Sequence, residues 1–269
     1  MRVAVLGAGP AGLMSCAALH DTRVIDDLVI FADRNRPSRM YGAQYLHAPI
    51  PHYTPTVLDQ AVPNVAYRLQ GTSDDYRRKV YGPMWDGTVS PEDLEESHPA
   101  WDLRETYHRL WDDFGSEVEE MLMDPAGMSF LTSGNTRYGK FDLIISSIPK
   151  PAVCPKGHQF KSAQIWAAGE APELGITLPY KCPEFTVICN GDDEPSWYRM
   201  SNIYGRTTVE WPEWIRPPLP HVASVIKPLE NNCDCWPDVL HVGRYGKWEK
   251  GVLTHNAYED VVNRVKTSV

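Results

Sequence analysis

Short apolar runs, separated by glycine-rich or polar turns, set the order of the predicted elements. Residues 2–6 form an apolar run with β-branched residues, and residues 28–31 form a second one. Runs of this length predict strands, and the helix-prone residues 13–19 between them predict a helix. The apolar run at 141–148 predicts a strand that is buried on both faces, as in a central parallel sheet. The alternation of strands with a helix indicates an α/β fold.

An amphipathic helix is predicted at residues 102–123, where apolar residues recur at spacings of three and four. Asp102 supplies a start signal for it, and Asp124 followed by Pro125 is interpreted as its end. A last helix is predicted after Thr254, which we expect to be its N-cap. The other predicted elements are strands at 65–69, 185–191, 224–229 and 239–242, two antiparallel strands around Gly205, and a short helix at 74–81.

The turn between the first predicted strand and the first predicted helix has the spacing G-x-G-x-x-G. Gly7 permits a tight turn, Gly9 lets a pyrophosphate approach the backbone, and Gly12 allows close helix–strand packing. The helix that follows offers free N–H groups and the positive end of its dipole to phosphates. Asp33, 21 residues after Gly12, ends the second strand, where a carboxylate can accept bonds from ribose hydroxyls. The sequence therefore predicts a dinucleotide site, and the alternative is a glycine turn without a nucleotide.

Residues 34–63 are predicted to form an irregular loop, because their prolines exclude a long helix. A loop this long inside a compact domain usually has a function or is disordered, and its apolar and aromatic residues argue against disorder. Three arginines, Arg34, Arg36 and Arg39, follow the acidic end of the second strand. They are interpreted either as a cap over a nucleotide or as a solvated surface cluster.

The composition limits the class of protein. The 269 residues, 42% hydrophobic and 23% charged, are typical of one large globular domain or two closely packed ones. The net charge of −9 argues against non-specific nucleic-acid binding. No apolar run approaches the length of a membrane span. The glycine motif begins too near Met1 for a signal peptide, so we expect a cytoplasmic protein.

The six cysteines are expected to be thiols in that compartment. The only close pair is Cys233-Asp234-Cys235, and a C-x-C motif with no second pair or nearby histidine is a weak signal for zinc. Cys154 is interpreted as a buried, inert thiol. We therefore expect no metal site.

The region rich in Trp, Tyr and Pro lies between segments of the nucleotide-binding pattern. We expect residues 51–135 and 156–235 to form a substrate region. This region is inserted into a discontinuous nucleotide-binding domain of residues 1–50, 136–155 and 236–269.

Four segments carry a resemblance to a known family, in that family's order along the chain. They are the glycine motif with Asp33, the triplet Gly42-Ala43-Gln44, the strand that ends in Ser-Ser-Ile-Pro at 146–149, and residues 242–253. On these segments the chain resembles the FAD-dependent oxidoreductase superfamily with the two-dinucleotide-binding-domain fold. It is nearest in pattern to UDP-galactopyranose mutases and amine-oxidase-like flavoproteins. Two positions depart from the family pattern: Asp33 stands where Glu is usual, and Ala43 stands where a second Gly is usual.

The resemblance implies a Rossmann-like, GR2-type FAD-binding domain with an inserted, smaller, antiparallel β-rich substrate domain. It also implies that Gly243 and Arg244 contact the flavin, and that a helix beginning within 253–256 points at its pyrimidine ring. Positive charge there would favour the reduced, anionic flavin. The residues expected to bind FAD are Gly7, Gly9, Pro10, Ala11, Gly12, Asp33, Arg34, Arg39, Met40, Gly42, Ala43, Gln44, Gly243, Arg244, Gly251, Val252 and Leu253.

Four functions are compatible with these features. The first is an FAD-dependent oxidoreductase that acts on a small molecule beside flavin N5, with O2 as the electron acceptor or a separate protein as the electron donor. The second is a mutase-like, non-redox flavoenzyme that acts on a nucleotide sugar. The third is a non-catalytic nucleotide-binding protein, and the fourth is an NAD(P)-dependent dehydrogenase. The single glycine fingerprint argues against a second module for NAD(P)H.

The aromatic residues within 197–211 are expected to line an apolar pocket beside the flavin. In the mutase-like alternative, Arg199 and Arg206 would bind a diphosphate, because guanidinium groups match phosphate oxygens. Their structural alternative is pairing with the acidic residues at 192–194. No catalytic residue is assigned from the sequence. The residues expected to contact substrate are His47, Trp197, Arg199, Tyr204 and Arg206.

Overall fold

The structure is a computed structural model, and it describes residues 1–34, 36–37, 39–42, 44–55, 61–82, 97–134 and 137–267. Within these residues the chain forms two large β-sheets with helices packed against them. The strands are β1 (Arg2–Leu6), β2 (Asp27–Ala32), β3 (Tyr45–Leu46), β4 (Asn64–Gln70), β5 (Ser97–Pro99), β6 (Trp101–Asp102), β7 (Val118–Glu120), β8 (Leu143–Ser146), β9 (Phe160–Gly169), β10 (Thr186–Asn190), β11 (Arg199–Ile203), β12 (Arg206–Pro212), β13 (Ala223–Asn231) and β14 (Val239–His241). The α-helices are α1 (Pro10–Thr22), α2 (Ser73–Tyr81), α3 (Leu103–Phe114), α4 (Pro125–Ser133), α5 (Lys150–Val153), α6 (Gly243–Lys247) and α7 (Asn256–Lys266).

The first sheet is parallel throughout and has the strand order β14-β8-β1-β2-β7. Its central strand β1 is almost wholly apolar, because both of its faces are covered. Val3 and Val5 pack in one core with α1, α3 and α7. Ala4 and Leu6 pack in another with Met128 of α4 and with α5. The predicted α/β architecture is confirmed, with helices on both faces of a parallel sheet.

The second sheet has seven strands in the order β13-β9-β12-β11-β10-β4-β5. Neighbouring strands in this sheet are antiparallel, except that β4 and β10 run parallel to each other. Strands β11 and β12 form a hairpin whose two-residue turn, Tyr204 and Gly205, has φ of 52° and 68°. Two positive φ values are those of a type I′ turn, which matches the twist of the flanking strands. The hairpin predicted around Gly205 is confirmed. The β-rich unit was expected to be the smaller one, but among the described residues its sheet has seven strands and the parallel sheet has five.

The helix predicted at 102–123 is correct only in its first half. Helix α3 ends at Phe114, and residues 118–120 form β7, whose partners are Ile30–Ala32 at the edge of the parallel sheet. Apolar residues continue to recur at spacings of three and four past the end of α3. Residues 118–120 nevertheless form a strand, because pairing with the edge strand β2 satisfies their backbone hydrogen-bonding groups. Asp124 does not end a helix. It caps α4 by accepting a hydrogen bond from the Gly127 amide at 2.8 Å, with Pro125 in the first turn.

The positions of α3 and β7 differ from the predicted domain division. Both pack with the parallel sheet, although residues 51–135 were assigned to the substrate region. The chain leaves the parallel sheet after β8 and α5, forms β9 to β13 in the second sheet, and returns with β14. The longest described helix, α1, has 13 residues. None of the described helices combines the length and the apolar character that a transmembrane span requires.

Candidate functional site

A cleft of about 320 Å³ opens where β1, β2 and β8 end. Gly7 and Gly9 follow β1, Asp33 follows β2, and Ser147 follows β8, and all four line the cleft. In open α/β sheets, ligands bind outside the carboxyl ends of the strands. The cleft therefore lies where the sequence predicted a dinucleotide.

The three glycines of the fingerprint have different surroundings. Gly7 has φ of +97°, which favours glycine, and a Cβ on Gly12 would lie 1.8 Å from the Gly7 carbonyl oxygen. The turn itself therefore requires glycine at both positions. A Cβ on Gly9 would meet nothing within 4 Å, and Gly9 has extended backbone at the N-terminus of α1. The protein gives no steric reason for glycine at position 9, whereas a phosphate at this helix N-terminus would give one.

The mouth of the cleft is polar and charged. The Asp33 side chain is 58% exposed and accepts a hydrogen bond from Arg34 at 3.2 Å. Arg36 also lines the cleft. Arg39 points elsewhere: it donates to the Gly169 carbonyl at 3.2 Å and stacks over Tyr41. The predicted arginine cap is thus divided between the cleft and the second sheet.

Two parts of the cleft wall are not predicted from the sequence. The Ser147 hydroxyl donates to the carbonyls of Leu6 and Gly7, at 3.1 and 3.2 Å, and so holds the glycine turn. Residues 121–123 follow β7 and form an apolar wall in which Leu122 is 77% exposed. Recognising residues 118–120 as a strand would have revealed this wall, because its end meets the ends of β1 and β2 at one sheet edge.

The C-terminal glycine–arginine segment packs against the fingerprint. A Cβ on Gly243 would lie 2.5 Å from the Ala11 Cβ, so α6 sits directly against the first turn of α1, which begins at Pro10. Gly251 has φ of +83° and open space beside it. Residues 252 and 253 lead into α7, and the Leu253 amide donates to the Asn256 side chain at 2.8 Å. The helix start predicted within 253–256 is confirmed, with His255 rather than Thr254 at the cap position.

The residues between Met40 and Gln44 connect the two sheets. Met40 packs against the core of the parallel sheet. Gly42 has φ of +88°, and a Cβ there would lie 3.0 Å from the Glu210 carboxylate. Close passage of the backbone past a charged side chain of the second sheet therefore requires glycine at 42. Ala43 lies outside the described residues.

Two side chains, Gln44 and Arg244, have buried polar atoms without hydrogen-bond partners among the described residues. Gln44 is 2% exposed, and neither its amide nitrogen nor its amide oxygen is hydrogen-bonded. Arg244 donates from one terminal nitrogen to the Pro228 carbonyl at 3.2 Å, but its buried Nε has no acceptor. An unsatisfied buried polar group costs about 1–3 kcal/mol. A polar ligand lying against Gln44 and Arg244 would remove this cost.

Glu210 lies at the centre of a buried ion cluster in the second sheet. Its carboxylate is 3% exposed and accepts hydrogen bonds from Arg199 Nε at 3.0 Å, from Lys227 Nζ at 2.6 Å and from the Tyr198 hydroxyl. Burial opposes ionisation, but the charges of Arg199 and Lys227 outweigh it and hold the pKa of Glu210 well below its usual range. The alternative partners at 192–194 proposed for Arg199 are wrong: its partner is Glu210.

The described part of this cluster carries excess positive charge. Burial and the neighbouring charge of Arg199 lower the pKa of Lys227, and the charge of Arg244 lowers it further. The carboxylate of Glu210 is shared by these cations. A buried excess of cations favours an anionic ligand.

Three histidines gather beside β3. The His47 ring lies 4.6 Å from His98 and 6.0 Å from His255, and it stacks on Tyr45 at 4.9 Å. Burial and the charges of His98 and His255 lower the pKa of His47 to about 4. Burial also lowers the pKa of His255. His47 is therefore neutral near pH 7.

The structure separates the other residues that were expected to contact substrate. Trp197 is 6% exposed and packs with Trp211 in a hydrophobic core, so these rings are not free to form a pocket wall. The Tyr204 hydroxyl donates to the Ala100 carbonyl at 2.8 Å. Arg206 lies at the hairpin turn, four strand residues from Arg199. Four strand residues correspond to about 13 Å of backbone.

Comparison with known proteins identifies the fold. No protein-family profile and no curated protein sequence matches the chain. Among solved structures, reduced UDP-galactopyranose mutase matches with a TM-score of 0.53 and 11% identity over 100% of this chain and 96% of that chain. BrvH, a flavin-dependent halogenase from Brevundimonas sp. BAL3, matches with a TM-score of 0.53 and 11% identity over 99% of this chain and 71% of that chain. With its parallel sheet, glycine turn and attached second sheet, the chain shares its overall fold with these two solved structures.

Proposed function

We propose that this chain is an FAD-dependent oxidoreductase that acts on a small molecule. The observation that carries FAD binding is the open space at Gly9, at the N-terminus of α1 and inside a cleft that ends at Asp33. The amides of α1 would hold the pyrophosphate, and the exposed Asp33 carboxylate would accept hydrogen bonds from the ribose. The apolar wall at 121–123 would pack against the adenine.

The second group of residues fits the flavin half of the cofactor. Gly243 brings α6 against Ala11, so the chain next to Arg244 adjoins the phosphate-binding turn. Gln44 has buried donors and an acceptor without partners, and Arg244 has a buried donor without one. A flavin ring presents hydrogen-bond donors and acceptors along one edge. The side chains of Gln44 and Arg244 would hydrogen-bond to that edge.

The charge of the region supports redox chemistry. When bound, FAD supplies a ring that can accept or deliver two electrons at N5. Arg244 would contribute positive charge that favours the reduced, anionic ring. His47 is suited to orienting a substrate by hydrogen bonding, because a pKa of about 4 makes it a weak proton acceptor near pH 7.

The absorbance spectrum of the purified protein tests the proposal directly. We expect flavin bands, and we expect the cofactor released by heat to be FAD rather than FMN. Protein purified without cofactor should take up added FAD and leave FMN free. A colourless protein that binds neither flavin would contradict the proposal.

A mutase-like function is the second candidate, favoured by the buried excess of cations. Its diphosphate would need two converging arginines, but Arg199 is engaged by Glu210 and Arg206 lies about 13 Å along the strand. We therefore expect no micromolar binding of UDP or UDP-galactose to dithionite-reduced protein in calorimetry. Micromolar binding that is lost in Arg206→Ala would favour the mutase over the oxidoreductase.

A further inference from the structure

Two short segments that are far apart in sequence bring three cysteines and a histidine together. Cys154 and His158 lie in the turn between α5 and β9, and Cys233 and Cys235 lie in the loop between β13 and β14. Their sulfur and nitrogen atoms all lie within 4.8 Å of one another. Cysteine and histidine are the ligands that structural zinc prefers, usually four in number.

We propose that Cys154, His158, Cys233 and Cys235 bind a structural zinc ion. Zn–S bonds of about 2.3 Å and Zn–N bonds of about 2.0–2.1 Å place tetrahedral ligands about 3.8 Å apart for two sulfurs and about 3.5 Å apart for sulfur and nitrogen. The Cys154 and Cys235 sulfurs are 3.8 Å apart. His158 Nδ1 lies 3.5 Å from the first sulfur and 3.3 Å from the second. Three edges of the tetrahedron are therefore already present.

The ligand set identifies the metal and its role. Three thiolates and one imidazole in tetrahedral geometry suit zinc, and four protein ligands close the site to water or substrate. Such a site stabilises structure and does not catalyse. No metal site is expected from the sequence, because the C-x-C pair has no second ligand pair near it in the chain. Folding supplies that second pair, Cys154 and His158, which lie 79 and 75 positions before Cys233.

The surroundings of the ligands support metal binding. His158 directs Nδ1 at the sulfurs, while its Nε2 lies 3.9 Å from the Asp234 carboxylate. A carboxylate on the outer nitrogen is a common arrangement around zinc-bound histidine.

The location gives the ion a structural purpose. One ligand pair lies where the chain leaves the parallel sheet for the second sheet, and the other lies where it returns. The Trp236 indole donates to the Val153 carbonyl at 2.8 Å, so the two crossings are already adjacent. Zinc would join the two crossings and hold the start of β9 and the end of β13 against the parallel sheet.

Metal analysis of the purified, reduced protein tests this inference. After incubation with zinc and removal of the excess, mass spectrometry of the metal content should find one zinc ion per chain. Cobalt in place of zinc should give the ligand-field bands of tetrahedral Co(II), to the red of flavin absorption. Cys235→Ser and His158→Ala should weaken zinc binding at least tenfold in a chelator competition.

Two further variants control the result. Cys182→Ser removes a buried thiol outside the cluster, and it should keep its zinc. His158→Cys offers four thiolates, and it should also bind zinc but change the cobalt spectrum. Zinc below one-tenth of the protein concentration, a Cys154–Cys235 disulfide that forms instead of zinc uptake, or equal zinc affinity in Cys235→Ser would overturn the proposal.

Discussion

The buried carboxylate of Glu210 gives the sharpest test of the energetics. Glu210→Ala removes the acceptor shared by Arg199 and Lys227, both of which remain in the interior of the second sheet. Removing one partner of a buried ion pair costs about 3–5 kcal/mol, because the other charge stays buried without compensation. Folded proteins of this size are stable by about 5–15 kcal/mol, so the loss is a large fraction of the whole.

The chain contains a matched control on its surface. Glu230 accepts from Lys161 at 2.6 Å, the distance that separates Glu210 from Lys227. The side chains of Glu230 and Lys161 are 66% and 55% exposed, whereas that of Glu210 is 3% exposed. An exposed pair contributes about 0–1 kcal/mol. Glu230→Ala should therefore change stability little, although the N–O distance to lysine is the same in the two pairs.

Urea unfolding followed by circular dichroism, with all variants at equal FAD saturation, measures the difference. The m-value should be unchanged, so that the shift of the midpoint reports stability. The loss in Glu210→Ala should shrink as the pH rises to about 7, the pKa of Lys227 in the folded wild-type protein. Without the Glu210 charge the folded-state pKa of Lys227 falls further, so below about pH 7 the folded variant binds fewer protons than the folded wild-type protein. The stability of the variant therefore rises more steeply with pH in that range. A loss in Glu210→Ala no larger than that in Glu230→Ala would refute the reasoning.

Three other predictions address the cofactor and the histidines. Gly9→Val should fold normally, since its Cβ meets nothing within 4 Å, yet lose FAD; full FAD occupancy would show that the turn is merely structural. Arg244→Ala should lower the flavin reduction potential by tens of millivolts, and about 30 mV corresponds to 1.4 kcal/mol for two electrons; an unmoved potential in spectroelectrochemistry would place Arg244 away from the ring. The folded pKa of His47 is about 4, below its usual 6.5, so wild-type stability should fall by about 1–2 kcal/mol, after discounting for partial exposure, as the pH drops from 6.5 to 4. His47→Gln should flatten that pH profile, and the exposed His20→Gln should not; equal profiles in urea unfolding would argue against the shift.

The sequence alone was sufficient wherever local chemistry decides the structure. The fingerprint glycines, the apolar strands and the Tyr204-Gly205 turn were predicted from residue type and spacing, and all adopt the expected conformations. These features depend on backbone freedom, strand burial and the helix N-terminus, which neighbours in sequence determine. The position of the cleft follows from them.

Other predictions failed because remote segments decide those features. Residues 118–120 form a strand because the edge of β2 is available for pairing, although their apolar spacing fits a helix. Trp197 is core because the sheet buries it, and Arg199 pairs with Glu210 across a hairpin rather than with the acids nearby in sequence. Periodicity carries no information about which distant segment will cover a side chain.

The cluster of Cys154, His158, Cys233 and Cys235 shows most clearly what cannot be predicted from the sequence. In the sequence, Cys233 and Cys235 have no partner, and Cys154 looks like an inert thiol. The chain crosses between its two sheets at both segments, and only that topology brings four ligand atoms within 4.8 Å. The sequence by itself determined the glycine-turn unit of the parallel sheet, because a strand, a turn and a helix encode it within 34 residues. The tertiary structure decided the ion cluster, the cleft wall and the proposed zinc site, because each requires atoms from segments that meet only in the folded chain.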